Sequence, residues 1–246
     1  MNPALVRIET RGIRLAEAAC RVAPRMRSTH RCVMTDHEQQ SPASFWESRY
    51  RESDRTWSGR ANVALEREAG GLAPGRALDL GSGEGGDALW LASRGWSVTA
   101  VDISPTALAR GRSAAESAGL GDRISWVEAD LAAWAPEGEY DLVSAHFLHS
   151  PVELPRDEIL RRAASAVAVS GVLLIVGHGA FPPWSAHRHE GPPLPGPDEV
   201  LKSLALPKSE WTVLTSALVD RDARSPSGDT VVMTDAVLML RRTVSV

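Results

Sequence analysis

Ten residues, Leu78-Asp79-Leu80-Gly81-Ser82-Gly83-Glu84-Gly85-Gly86-Asp87, constrain this chain more than any other stretch. The short apolar run at 76–80 runs straight into glycines, as a strand entering a tight turn does. Residues 87–94 (DALWLASR) then read as a helix, with Gly95 placed to terminate it. Gly81, Gly83 and Gly86 keep the G-x-G-x-x-G spacing, and Asp102 closes the next strand, 21 residues beyond Gly81. Glycines between a strand and a helix let the backbone approach a ligand closely, and an acid ending the following strand can accept from ribose hydroxyls.

The same alternation continues. Strands are expected at 97–103, 124–128, 140–145 and 172–176, with helices at 106–118 and 156–169. Ser104-Pro105 supplies an N-cap and a first-turn proline for the 106–118 helix. Strands and helices alternating at this spacing specify parallel βαβ units and a sheet covered on both faces. Residues 181–197 are a proline-rich loop. After a short helix near 198–204, strands near 211–219 and 231–242 flank a hairpin-like SPSGD segment, which implies an antiparallel finish.

Charge is unevenly distributed over the 246 residues. The formal net charge of -4 combines a leader (1–33) with seven arginines and two acids, or +5, and a remainder at -9. An acidic body disfavours nucleic-acid partners. No apolar run approaches the roughly 20 residues of a spanning helix, so no membrane partner is expected. Both cysteines, Cys20 and Cys32, lie in the leader, which leaves the body without thiolate chemistry and fits a cytoplasmic setting. Arginine outnumbers lysine 25 to 2, as expected of a GC-rich, bacterial gene. Residues 4–22 have the pattern of a short basic helix, yet 1–33 read best as a disordered extension or a start assigned too early. Met34 offers a natural alternative start. The expected organisation is leader 1–33, N-terminal lid helices over 34–70, and the main domain over 71–246.

The charges around the glycines also discriminate between ligands. Asp79, Glu84 and Asp87 crowd the loop, and the loop sequence contains no arginine or lysine. A pyrophosphate placed there meets like charge in a partly desolvated cleft. A cationic ligand without phosphates suits it better, and S-adenosylmethionine, with an ammonium and a sulfonium, is one. A nicotinamide-dependent oxidoreductase is the disfavoured competitor.

Residues 76–87, 97–104, 124–131 and 140–149 resemble the four consecutive motifs of class I S-adenosylmethionine-dependent methyltransferases, the matching segments being ALDLGSGEGGDALWLA (77–92), VTAVDIS (98–104), ISWVEADL (124–131) and YDLVSAHFLH (140–149). Upstream, Phe45–Tyr50 and Trp57–Asn62 are similar to the lid of the bacterial tellurite-resistance and thiopurine-type small-molecule subgroup. The resemblance implies a Rossmann-like, doubly wound seven-stranded α/β sheet, mostly parallel with an antiparallel C-terminal hairpin, in the order 3-2-1-4-5-7-6. It also implies roles. Asp79, with the backbone at Gly81 and Gly83, faces the methionine end, Asp79 reaching the ammonium. Asp102 accepts both ribose hydroxyls, Ile103 packs on the adenine, Asp130 accepts from the adenine amino group, and Leu131 donates its backbone N–H. Trp57, in the lid, is counted with the cofactor-binding residues, and the backbone near Ala145–His146 lies beneath the sulfonium.

Methyl transfer needs alignment above all, and a base only where the acceptor must lose a proton. His146, just past the fourth strand, is the expected catalytic residue, followed by His149 and then His178. His187-Arg188-His189 has a single acid, Glu190, beside it and no cysteine nearby, and no metal site is expected. Ser144-Ala145-His146-Phe147 stands where amino-directed enzymes acting on adenine or glutamine carry an Asn/Asp-Pro-Pro-aromatic motif. Trp46, Tyr50, Trp57, Phe147, Phe181 and Trp184 fall in segments bordering the expected pocket mouth, where they suit a small, partly apolar acceptor or a soft sulfur or metalloid atom. The expected function is methyl transfer to a small molecule. A non-catalytic cofactor-binding sensor of the same fold remains the alternative.

Overall fold

The structure is a computed structural model that describes residues 41–182, Trp184 and residues 194–243. The leader, both cysteines, Met34 and His187-Arg188-His189 lie outside the described residues.

Seven strands form one sheet: β1 (Arg76–Leu80), β2 (Ser97–Asp102), β3 (Ile124–Glu128), β4 (Tyr140–His146), β5 (Val167–His178), β6 (Trp211–Arg224) and β7 (Thr230–Arg242). Their order is β3-β2-β1-β4-β5-β7-β6, as the resemblance implies. β1 to β5 pair in parallel, and β7 runs antiparallel to both β5 and β6.

Successive side chains on a strand point to opposite faces, and both faces here are apolar because both are covered. Leu78, Leu80, Val143, Leu173, Ile175, Leu238 and Leu240 face one core, sealed by Ile159, Leu160 and Ala163 of α5 (Arg156–Ser165) and by Val200 and Leu204 of α6 (Pro197–Leu204). Ala77, Val98, Ala100, Leu142, Leu174, Val176, Val237 and Met239 face the other. That second core is closed by Leu65 of α2 (Val63–Ala69), Leu91 of α3 (Gly86–Ser93), Trp96 and Ala115 of α4 (Pro105–Ser117). The remaining helix, α1 (Pro42–Arg51), starts at Ser41, whose side chain accepts from the Ser44 N–H, with Pro42 in the first turn. Ser104 caps α4 in the same way, through the Ala107 N–H at 3.1 Å.

One expected boundary is corrected. The helix expected over 156–169 ends at Ser165, and β5 begins at Val167 instead of Val172. Long-range pairing overrides local helical pattern here: Tyr140 donates to the Ala166 carbonyl at 2.9 Å, and Val167 stands opposite Tyr140. The extra residues of β5 are taken up in a bulge, with Ser170 at φ 69° and the register shifting between Tyr140 and Leu142. β6 also runs on to Arg224, paired with Thr230, so the hairpin is longer than its apolar pattern suggests.

Leu142 has no exposed surface and lies mid-sheet between β1 and β5. Leu142→Ala should lower unfolding stability by about 2–5 kcal/mol, measured by chemical denaturation.

Candidate functional site

In this strand order β1 to β3 run one way across the sheet, and β4 then returns to the other side of β1. Crossover connections leave β1 and β4 in opposite directions, so a crevice opens at their carboxyl ends, where open α/β sheets bind ligands. The glycine loop fills the β1 end of it. Gly81, Gly83 and Gly85 all have positive φ. The Gly81 and Ser82 N–H groups donate to the Val101 carbonyl at 2.9 Å each, which folds the loop back over β2. At Gly83 a Cβ would stand 2.9 Å from Tyr50 Oη, and at Gly85 only 2.4 Å from the Trp126 ring, so neither position tolerates a side chain.

Two acids from the expected set are buried here. Asp79 is 2% exposed; Ser144 Oγ donates to its Oδ1 at 3.4 Å, and its buried Oδ2 has no partner. Burial, then the Asp87 charge, pushes the Asp79 carboxyl well above the usual carboxylate range, against opposing pulls from His146 and Ser144. Asp102 ends β2 and accepts from the Gly83 N–H at 2.8 Å and the Ser104 N–H at 2.9 Å. Burial raises its pKa too, opposed by those N–H groups and that of Ile103.

His146 is drawn to this cluster. Its Nδ1 is 2.6 Å from Asp87 Oδ2, its side chain is 5% exposed, and its buried Nε2 has no partner. Burial disfavours the imidazolium, but Asp87, Asp79 and Asp235 outweigh it and raise the pKa. Asp87 is the partner that sequence reasoning missed. The available signal was an acid in the first turn of α3, which the β1–β4 pairing brings opposite the end of β4. Ligand-capable atoms of Asp79, Asp87 and His146 lie within 4.8 Å of one another. The His146–Asp87 contact already engages an atom of each of those two residues, so a divalent cation held by all three would have to compete with it.

The sequence reading of Glu84 is corrected. No arginine lies in the loop itself, but Arg110 reaches it from α4, with Nη1 at 2.8 Å from Glu84 Oε1. Glu84 also accepts from the backbone N–H groups of Thr56 and Trp57, at 3.1 Å each. Its charge is spent holding the N-terminal segment and does not face the crevice. Asp79 and Asp102 therefore carry the argument against a pyrophosphate.

Tyr50 of α1, 4% exposed, and Trp57 cover the loop, the Trp57 Nε1–H donating to Tyr50 Oη at 3.0 Å. Trp46 Nε1–H donates to Ser150 Oγ at 3.2 Å, which links α1 to the segment after β4. Ile103 is half-buried. Asp130 and Leu131 stand past β3, two strands from β1. Asp130 is exposed and accepts from the Ala132 N–H at 2.9 Å, while the Leu131 side chain is buried in the core. Phe147 stacks on His178, Phe181 is half-buried and Trp184 is exposed.

Comparison with known proteins agrees with this geometry. Residues 77–171 match a family model described as a methyltransferase domain. That match takes in the glycine loop and strands β1 to β4, and the fold is shared with solved methyltransferase structures. The chain is 32% identical over 119 residues to 2-heptyl-1-hydroxyquinolin-4(1H)-one methyltransferase of Mycobacteroides abscessus, covering 46% of this chain and 51% of the relative. It is also 32% identical over 108 residues to tRNA 5-carboxymethoxyuridine methyltransferase of Escherichia coli, covering 43% and 41%. The chain thus spans about half the length of the curated relatives it matches. Among solved structures, one described under the conversion of a disulfide bond into a thioacetal group during echinomycin biosynthesis matches at TM-score 0.60 and 25% identity, covering 82% and 91%. TehB of Haemophilus influenzae matches in fold at TM-score 0.57 and 21% identity, covering 74% and 62%.

α1 is latched to α4 by Glu47, which accepts from Ser104 Oγ and Thr106 Oγ1 at 2.6 Å each and pairs with Arg51 at 2.8 Å. Burial opposes ionisation, yet these bonds prevail and hold the Glu47 carboxyl at about 2. A depressed folded pKa means the latch is complete above the ordinary glutamate range and weakens as pH falls toward about 2. Glu47→Gln should therefore speed amide hydrogen exchange across 42–51 at neutral pH by about 10-fold or more, with core amides unchanged.

Proposed function

We propose that this chain is an S-adenosylmethionine-dependent methyltransferase acting on a small-molecule acceptor, with residues 71–246 as the catalytic domain and 34–70 as its lid. The observation that carries this reading is Asp79 Oδ2, a buried carboxylate oxygen without a partner beside a glycine loop. An unsatisfied buried acid is costly, and a ligand ammonium removes that cost, whereas a phosphate adds to it. The residues fit the cofactor. When bound, S-adenosylmethionine supplies a methyl group activated on a sulfonium.

In this reading Asp79 holds the ammonium, with the backbone at Gly81 and Gly83 shaping the methionine end. Asp102, already oriented by the Gly83 and Ser104 N–H groups, keeps further lone pairs for the ribose hydroxyls. Ile103 packs on the adenine, Asp130 and the Leu131 N–H read its edge, and Trp57 helps exclude water. His146 is the catalytic proposal: with Nδ1 held by Asp87, its Nε2 is the atom able to take an acceptor proton. The acidic body supports a small acceptor over RNA, although relatives include enzymes named for tRNA and ribosomal RNA. Among the described residues no helix is long and apolar enough to cross a membrane.

Three measurements test this. Asp102→Ala should weaken S-adenosylmethionine binding by about 100-fold, as expected for two hydrogen bonds to a charged group; unchanged affinity would show the ribose assignment to be wrong. Pairing with an ammonium lowers the raised pKa of Asp79, so binding should release a proton and strengthen as pH rises. Calorimetry in buffers of different ionisation enthalpy detects that proton, and its absence counts against Asp79 as the ammonium site. Labelled cofactor should transfer methyl to a member of a thiol, phenol, amine and metalloid panel. Transfer to bulk tRNA or ribosomal RNA alone would overturn the small-molecule assignment, and tight binding with no transfer at all would favour the sensor.

A further inference from the structure

A second polar group stands at the carboxyl ends of β4 and β5, on the opposite side of β1 from Asp102. Arg156, the first residue of α5, donates from Nε to the Leu148 carbonyl at 3.1 Å. That bond uses the side of the guanidinium and leaves its two terminal nitrogens as a fork. Among the described residues no carboxylate pairs with it. Its neighbour Asp157 is turned away, accepting from Ser203 Oγ on α6 at 3.2 Å. Arg156 is thus a half-buried cation without a counter-ion, and burial pulls its pKa down, opposed only by the charge of Asp157.

One imidazole, His149, lies beside this cation, and a second, His178, stacks on the first. A Cβ on Gly177 would lie 3.1 Å from His149 Nε2 and 3.9 Å from Arg156 Nη2, so both groups converge over β5 and the missing side chain gives His149 its room. The His149 and His178 rings stack at 5.9 Å and 15°, and His178 stacks on Phe147 at 4.4 Å. Buried His149 Nε2 and His178 Nδ1 have no partner. Burial, then Arg156 and His178, pulls His149 down to about 4, and burial likewise lowers His178, so both are neutral near pH 7. A neutral imidazole can turn an N–H toward an oxyanion by choice of tautomer. The nearby Arg221 is matched by Asp235 at 2.6 Å, which leaves Arg156 as the uncompensated charge of the group.

We propose that Arg156, with His149 beside it, binds a carboxylate carried by the methyl acceptor, an assignment that rests on the methyltransferase reading. A planar carboxylate matches the free fork of the guanidinium, and the stacked rings beside it suit a flat acceptor body. The acceptor half of the crevice is then cationic where the cofactor half is acidic.

The test compares benzoate with its neutral isostere benzamide, by calorimetry, on the full chain with and without saturating S-adenosylhomocysteine. Benzoate should bind at least about 10-fold more tightly than benzamide. Arg156→Gln should reduce benzoate affinity to that of benzamide, Arg156→Lys should fall between, and S-adenosylhomocysteine affinity should stay unchanged in both, which also reports that the variants fold. Equal wild-type affinities for benzoate and benzamide would overturn the proposal without any variant. So would benzoate binding that survives Arg156→Gln. Failure to bind S-adenosylhomocysteine sinks the methyltransferase reading separately, and the benzoate comparison on the protein alone remains readable.

Discussion

Asp79 keeps an ionisable group at the end of the central strand, with one oxygen unpaired and water almost excluded. Such a group is tolerated only where something offsets its desolvation. In this fold the offset is shared: Ser144 donates weakly, His146 contributes charge from β4, and the carboxyl itself is drawn toward its neutral form. The β1–β4 adjacency makes that sharing possible, because it sets Ser144 opposite Asp79 in register. In the proposed function a bound ammonium completes it, which would make cofactor binding and the protonation state of this buried acid one linked equilibrium.

The N-terminal helices belong to the same arrangement. Glu84 is pinned by Arg110 and by the Thr56 and Trp57 N–H groups, Asp87 accepts from the Asn62 N–H at 2.6 Å, and Glu47 grips Ser104 and Thr106. Three acids thus tie the 47–62 segment to the helices that follow β1 and β2. The carboxylates that crowd the loop in sequence divide in space into two kinds: Glu84 anchors the cover, and Asp79 faces inward. Asp87 does both, holding Asn62 with one oxygen and His146 with the other.

Across the crevice the polarity reverses. From β1 to β3 the strand ends carry aspartates, and beyond β4 they carry His149, His178 and Arg156. The proposed transfer from a cationic donor to an anionic acceptor would bring opposite charges together, and this division suits it by holding a carboxylate away from Asp79 and Asp102, which would repel it.

The sheet, its antiparallel finish and the glycine loop were legible in the sequence because each rests on local pattern: short apolar runs, turn chemistry, and caps at Ser104-Pro105. The strand-end aspartates were legible as well, since a strand fixes where its last residue points. The strand order came from resemblance to a family and not from periodicity. The helix boundary at Ser165 was misread because Val167 takes its conformation from Tyr140, 27 positions earlier in the chain. For the same reason the Arg110–Glu84 pair, the Asp87–His146 contact and the convergence of Arg156 and His149 over Gly177 were invisible. Each joins residues on different elements, at distances set by strand order and by which face a side chain takes. The sequence by itself determined that this chain builds a parallel sheet with an acidic, glycine-lined ligand turn. Only the tertiary structure decided which acids stay unpaired, because pairing depends on what folding brings within about 3 Å of each oxygen.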